Sequence, residues 1–481
     1  MARINTNVPA IVARRNFIRA NEQLQVSLER LSSGLRINRG ADDPAGLIVS
    51  QNLRAEIASI RQAVTNSQRA SNVIATTEGA LGEVAALLND TKQKIIEAAN
   101  VGAISDDEVR ANQLQIDDAV RSITRIANTT TFGGRKLLNG TLDYTTSGIN
   151  AANVTDLRVN GVRFGTASFI PVTVAVTQSA QHAQLRFETS SITSDVTLEI
   201  AGQNGVTTLP LLSGTAASAI MAAVNLVSDA TGVSASLINA ANATSGIALS
   251  SIGFGSDALV SVSEIGGGAT GNVFDTQNAT GQPVRSDAGR DAAATINGAL
   301  SLGRGLDLSL NTASLSLELR LQEGFNTSGT TTFAITGGGA LFQLGGGVDS
   351  NQQVNIGVQS TVASRLGNAT TGFLSDIVSG GDFSLVNGKA AKADQIVDEA
   401  IRQVSVLRGR LGAFEKNTLD TNVNQLRITT ENLTAAESAI RDVDFAVEAS
   451  NLTRLQILSQ AGTTVLSIAN RTPQQVLALL Q

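Results

Sequence analysis

Residues 31–53 read LSSGLRINRGADDPAGLIVSQNL, a stretch that closes one helical pattern and opens another with almost nothing between them. Gly40 suits the left-handed residue that follows a helix C-terminus. Asp43 stands where a side chain accepts hydrogen bonds from the first free N–H groups of the next helix, and Pro44 where a missing N–H costs nothing. Together Gly40, Asp43 and Pro44 read as a joint between two rigid rods. An ordinary interhelical loop inside one bundle fits the same residues, so the flanking sequence has to decide.

On the N-terminal side Phe17, Leu24, Leu28, Leu31 and Leu35 recur at alternating seven- and three- or four-residue steps, the seam of a helix that packs on another helix. On the other side the frame Leu53, Ile57, Ile60, Val64 weakens at Ser67 and Ser71 and recovers at Ile74, Leu81, Ala85 and Leu88. A helix from Ala45 to Asn100 extends roughly 80 Å at about 1.5 Å per residue. Gly79 and Gly82 inside it cost about 1 kcal/mol each relative to Ala, which fits a close neighbour. Ser105 with Glu108 three residues on is a capping box, opening a helix through Ile116, Val120, Ile123 and Ala127. Its end, NTTTFGGRKLLNGT, carries Gly133, Gly134 and Gly140 as turn signals before strands.

From about 141 to 390 the period changes. SDVTLEI (194–200), GIALSS (246–251), DALVSVSEI (257–265), LDLSL (306–310) and TTTFAIT (330–336) alternate apolar and polar residues between Gly and Asn clusters, as half-buried strands do. One amphipathic helix interrupts them near 215–232. The last zone is helical again: Val397, Ala400, Val404, Leu407, Leu411 and Phe414 keep one frame, and after a one-residue phase shift Leu419, Val423, Leu426, Leu433 and Ile440 keep another. Leu455, Leu458, Gly462, Val465, Ala469, Val476 and Leu479 form a final seam. Of the six prolines, Pro9, Pro44, Pro171, Pro210, Pro283 and Pro473, none interrupts 45–170 or 284–472, which leaves room for long helices.

Helices this long do not stand alone, so their apolar faces must be buried against partners. The two terminal zones can pair within one molecule, and a lone intramolecular coiled coil satisfies that much. Apolar surface left over at both extremes favours neighbouring copies, and head-to-tail contacts that do not close make a filament.

Composition narrows the function. Charged residues are 16% and aromatics 3% of the 481 residues, with one Tyr, no Trp and a formal charge of −6, so a nucleic-acid partner lacks both its basic stripe and its stacking platforms. No cysteine is present, which excludes disulfides, a thiol nucleophile and Cys-ligated metal. The first residues, MARINTNVPAIVARRNF, never offer the unbroken apolar core of a cleavable signal, and no apolar run reaches the ~18 residues of a membrane span. The expectation is export without a cleaved signal peptide and no membrane insertion.

MARINTN at the start, residues 31–57, FGGRKLLNGT (132–141) and the tail ENLTAAESAIRDVDFAVEASNLTRLQILSQAGTTVLSIANRTPQQVLALL (431–480) together resemble bacterial flagellin. The resemblance covers 1–141 and 390–481, in the same order. It implies a fold that is mainly α with a β-rich insertion: long antiparallel N- and C-terminal coiled-coil helices in inner and outer layers, and a central solvent-facing β-rich domain. Segments 1–42 and 446–481 would form the inner layer, 43–170 and 386–445 the outer rod with β-hairpin elements, and 171–385 a variable surface domain, with 196–237 similar to an insertion motif of flagellin outer domains. The joint then lets one chain contribute to two concentric shells.

The filament-core contacts are expected at Ile11, Phe17, Ile18, Leu24, Leu28, Leu31, Leu35, Leu452, Leu455, Leu458, Val465, Ala469, Val476 and Leu479. Rod packing is expected at Leu53, Ile57, Ile60, Val64, Val404, Leu407, Leu411, Leu426 and Leu433. The resemblance also implies a homo-oligomeric helical filament in the extracellular flagellum. Its implied partners are an export apparatus that takes the unfolded chain, a chaperone for the C-terminal helix, and cap and hook–filament junction proteins. Two departures stand out. Pro44 replaces the Ala that many flagellins carry after the paired Asp, so the helix restart should be sharper. NDTKQK (89–94) stands in place of the basic segment that a vertebrate innate receptor detects, with Asp90, Lys92 and Gln115 at degenerate positions, so recognition should be poor.

Chemistry has few footholds. The pairs Asp42–Asp43, Asp106–Asp107 and Asp117–Asp118 could be acid–base dyads, but each lies at or near a helix start, where carboxylates cap N–H groups. His182 is the only histidine, which rules out a His-rich metal site. Gly266, Gly267, Gly268 and Gly271 spell GxGxxG without the helix a dinucleotide needs. Ser and Thr density in the middle zone permits surface glycosylation but equally describes solvated strands. No catalytic residue, cofactor or metal is expected. Two rivals stay open: a flagellin-like hook–filament junction protein, and an adhesin or enzyme displayed from the middle domain.

Overall fold

The first helix ends at Gly34, not Gly40. The computed structural model describes residues 6–478 except 243, 266–272 and 279, and of 472–478 only the backbone. Its helices in chain order are α1 (Val8–Ser33), α2 (Pro44–Ala98), α3 (Asp106–Thr129), α4 (Ala217–Leu226), α5 (Ser228–Thr231), α6 (Ala390–Phe414), α7 (Thr421–Arg441) and α8 (Phe445–Ala478). Asn7 caps α1 by accepting from the Ala10 N–H at 3.0 Å. Gly34 takes φ +74° and donates its N–H to the Arg30 carbonyl at 2.9 Å, closing the helix.

What stops α1 there is a distant segment. The Arg36 N–H donates to the Arg441 carbonyl at 2.7 Å, the Val443 N–H donates to the Gly34 carbonyl at 3.0 Å, and Leu35 bridges Asp442. These bonds occupy backbone groups that a helix continuing to Gly40 would need. Asp42 then closes a turn by accepting from the Asn38 and Arg39 N–H groups at 2.9 and 2.8 Å. Those backbone bonds, Arg39 first, hold its carboxyl below the usual range. Asp43 caps α2 through Gly46 N–H at 2.9 Å, and Pro44 is the first helical residue, as the sequence implies. Gly46 is required as well, because a Cβ there would stand 2.9 Å from Ile37 Cδ1 and 2.4 Å from Asp43 Oδ2. Gly34→Ala is expected to destabilise the monomer by about 1 kcal/mol through left-handed strain alone, read as a lower urea midpoint. A Cβ at Gly34 would meet only Phe445 Cζ, at 3.9 Å.

The chain divides into two compact units, residues 1–70 with 343–352 and 416–481, and residues 71–342 with 353–415. In the first, α1 lies antiparallel to α8, and residues 343–352 rest on the first part of α2. There the Asn422 side chain donates to Leu344 O at 2.8 Å and Ser67 Oγ at 3.1 Å.

In the second unit the apolar stripes of three helices are buried: Ile74, Leu81, Val84 and Leu88 from α2, Ile116, Val120 and Ile123 from α3, and Val404, Leu407 and Leu411 from α6. The capping box forms, with the Ser105 N–H on Glu108 Oε2 at 2.7 Å and the Glu108 N–H on Ser105 Oγ at 3.3 Å. The one-residue phase shift has a structural cause. Residues Glu415–Asp420, between α6 and α7, form a π-helix, whose wider turn takes up the extra residue and keeps Leu419 buried.

The β-rich part of this unit has two cores. In the first, a five-stranded antiparallel sheet runs Ala299–Leu300, Ala293–Ile296, Ile170–Gln178, Gly329–Gly338, Tyr144–Ser147; a four-stranded one runs Leu302–Arg304, Asp307–Asn311, Leu315–Leu321, Val154–Val162. Val172, Val174, Leu317 and Ile335 are among its buried residues. This core draws on strands from Tyr144 onward, upstream of the boundary expected at 171. The second core joins the sheet Ser286–Ala288, Leu259–Ile265, Val196–Gly202, Val206–Leu211 to the sheet Gln184–Phe187, Ile247–Ser251, Val233–Leu237. Ile220 and Val224 of α4 are buried among them, so 196–237 folds as hairpin, helix, strand.

Candidate functional site: the terminal helix pair

The pairing of α1 with α8 is built on small residues. The α1 residues buried at seven-residue intervals are Ala13, Ala20 and Ser27, not the large aliphatics. Opposite them Gly462 is so close that a Cβ there would stand 3.1 Å from Phe17 Cδ2. Polar clips fix the register: Asn7 Nδ2 donates to Ala469 O at 2.7 Å, Ser459 Oγ donates to Asn21 Oδ1 at 2.8 Å, and Arg30 lies 3.9 Å from Glu448. Close approach of backbones selects small side chains at the seam and leaves the larger ones to either side.

The expected core-interface residues therefore fall into two groups. Leu455 and Ala469 are buried within the pair, and Phe17, Leu24, Leu31, Leu35 and Leu452 are half-buried. Leu35 lies beyond the helix end. Ile11, Ile18, Leu28, Leu458 and Val465 face solvent in the single chain, Ile11 at 61% exposure and Val465 at 53%. The side chain of Val476, and Leu479 altogether, lie outside the described residues. The sequence reading missed Val8, Val12, Val26, Val447 and Ile457, which are exposed on the same two helices; they stand beside the seam period it followed. Two helices joined by small residues thus carry a dense set of large apolar side chains turned outward.

The rod positions divide similarly. Ile57, Ile60, Val404, Leu407 and Leu411 are buried, while Leu53, Val64, Leu426 and Leu433 are half-buried. Asp90 and Gln115 are exposed. Lys92 is half-buried and pairs with Asp398 and, at 3.9 Å, Asp394; the Asp398 hydrogen bond raises its pKa.

Of the acidic pairs, Asp106–Asp107 lies in the first turn of α3, whereas Asp117–Asp118, expected at or near a helix start, lies in the middle of that helix. Asp107 pairs with Arg110 at 3.2 Å and Asp118 with Arg121 at 2.5 Å, while Asp117 accepts from Gln113 and from the Ser379 N–H. His182 contacts the Gly253 carbonyl at 3.0 Å and lies against the Phe254 ring, tilted 36° to it. The GxGxxG glycines lie outside the described residues. A groove beside Tyr144 and Arg158 is polar, and its Asp156 and Arg158 are paired within the chain. Arg158 Nη2 reaches Asp156 at 3.1 Å and Gly367 O at 3.1 Å, and Gln403 Nε2 donates to Gly367 O at 2.8 Å and Glu399 at 2.7 Å. These bonds tie a strand to α6; on the groove wall Ser360 Oγ and Thr361 Oγ1 stay without a partner among the described residues.

Residues 4–143 match the bacterial flagellin N-terminal helical region, and residues 395–480 the bacterial flagellin C-terminal helical region. The B-type flagellin of Pseudomonas aeruginosa is 31% identical over 503 residues, covering 99% of each chain. Flagellin B of Helicobacter pylori is 29% identical over 527 residues, all of this chain and 99% of its own. Polar flagellin F of Vibrio parahaemolyticus is 29% identical over 484 residues, 99% of both. With a match of this length at both ends and across the middle, the chain belongs to the bacterial flagellin family.

Proposed function

We infer that the chain is the structural subunit of an extracellular bacterial flagellar filament and that its terminal helix pair makes the filament core. The observation that carries the second part is the outward set of large apolar residues on α1 and α8, which none of the described residues covers. Burying such surface against copies of itself is the driving force for assembly. In this reading segments 1–42 and 446–481 form the inner layer, 43–170 and 386–445 the outer rod, and 171–385 the surface domain, whose first β core also takes in the strands Tyr144–Ser147 and Val154–Val162. Gly34, Asp43 and Pro44 set the joint between layers, with Gly34 taking the part first expected of Gly40. The work is mechanical: small shifts in packing between rods change protofilament length and so supercoil. Export of the unfolded chain, a chaperone on the C-terminal helix, a distal cap and a junction protein complete the proposed partners.

The test is the double variant Leu28→Asp/Val465→Asp, at two solvent-facing positions. The monomer is expected to keep its circular dichroism and melting temperature while electron micrographs show no filaments under conditions where the parent chain assembles. Filaments of normal length from the variant would refute the core assignment. The acidic residue at Asp90 and the ion-paired Lys92 also support weak innate-receptor detection. Purified monomer is expected to be at least tenfold less potent in a reporter-cell assay than a flagellin with the basic segment, and equal potency would contradict it.

A further inference from the structure

We propose that Leu300 and Leu302 form a contact between surface domains of neighbouring copies in the filament. This inference rests on the filament reading, but on a different part of the molecule. Residues 299–304 run extended from one sheet of the first β core to the other. Leu300 pairs with Thr295 on one side, and Leu302 pairs with Ser309 on the other. The inward positions are fixed: the Ser301 N–H and hydroxyl both donate to Ala294 O, at 2.9 and 2.8 Å, and a Cβ on Gly303 would stand 1.8 Å from Ala292 O. Alternation then turns residues 300, 302 and 304 outward.

A solvated outer face ordinarily carries polar or charged residues at such positions. Here it carries two leucines, 73% and 78% exposed. The segment is also held in place from the preceding turn, where Asn297, at φ +50°, accepts from the Thr173 N–H at 2.8 Å and donates to Pro171 O at 3.1 Å. The apolar pair is therefore presented on a braced strand.

The size of the patch identifies the occupant. Two leucines offer at most a few hundred Å², against roughly 1,200 Å² or more for a stable complex of free partners. A partner arriving from solution would not be retained. A copy already held by the filament core is, because tethering raises its effective concentration to about the millimolar range or higher. The flanking charge, Arg304, is paired with Asp257 at 2.6 Å, so the patch presents no uncompensated charge to a polyionic partner.

The chain has no cysteine, so Leu302→Cys introduces a single thiol into the full-length protein. Its reaction with a small maleimide is expected to be at least tenfold slower in filaments than in monomer. In parallel, Leu300→Glu/Leu302→Glu is expected to assemble, since the core is untouched, into filaments that dissociate at a lower temperature than the parent's. Equal labelling rates in the two states, or an unchanged dissociation temperature, overturns the proposal. Failure of the parent chain to assemble would instead count against the filament reading.

Discussion

Removing residues 446–481 is expected to abolish filament formation and to leave a soluble monomer whose β-rich part melts like that of the full chain. The truncation deletes all but the first residue of α8 and uncovers Ala13, Ala20 and Ser27 on α1. An unsupported helix of 26 residues with no acidic first turn gains little from local pairs, so α1 should lose helicity. The expected readings are a drop in the circular dichroism helix signal beyond that of the deleted residues and no sedimentable polymer. Both β cores lie within the other compact unit, so their unfolding transition should persist. Sedimentation of normal-length filaments from the truncated chain would contradict the account.

Arg410→Ala should destabilise the second unit by about 3 kcal/mol. The guanidinium of α6 reaches Asn160 Oδ1 at 2.6 Å, Asn160 O at 3.0 Å and Gly357 O at 3.0 Å. It thereby sews the helix to the strand Val154–Val162 and to the segment after Gln353–Ile356. Burial pushes its pKa down from the ordinary guanidinium value, so the site holds a charge mostly removed from water. Truncation takes the charged donor from the buried Gly357 carbonyl and leaves Asn160 only the longer bonds from Gln359 Nε2 to its Oδ1, at 3.3 Å, and from the Gly357 N–H to its carbonyl, at 3.5 Å. Arg410→Met restores stem packing without those bonds and should fall between the parent and the alanine variant in urea midpoint. A loss below about 1 kcal/mol for Arg410→Ala would show that the segments re-pair without it.

The long helices were readable because their signals are local. The Ser105–Glu108 box and the Pro44 start need only their own neighbours, and the frame shift after Phe414 shows in the spacing of leucines as the π-helix does in the backbone. Gly34 was missed for the opposite reason. Gly34 and Gly40 look alike in sequence, and the choice between them rests on Arg441 and Val443, some 400 positions away. The seam of the terminal pair was misread by size. Ranking residues by apolarity selects Leu28 and Ile18, whereas close backbone approach selects Ala13 and Ala20 on α1, opposite the Gly462 that the sequence does place in the seam, and turns Leu28 and Ile18 outward. The same inversion made them good candidates for contacts with other copies. In the β region the strand Ile170–Gln178 carries Pro171 at its second position, a residue that usually argues against a strand, and Tyr144–Ser147 is short and polar.

Hydrogen exchange compared between monomer and filament tests the central claim most directly. If the outward apolar residues of the terminal pair are covered by other copies, amides of Val8–Ser33 and Phe445–Ala478 will exchange at least a hundredfold more slowly in the filament, while those of Gly329–Gly338 will change little. Terminal-helix amides that exchange at the same rate in both states would mean that those helices contribute nothing to holding the subunits together.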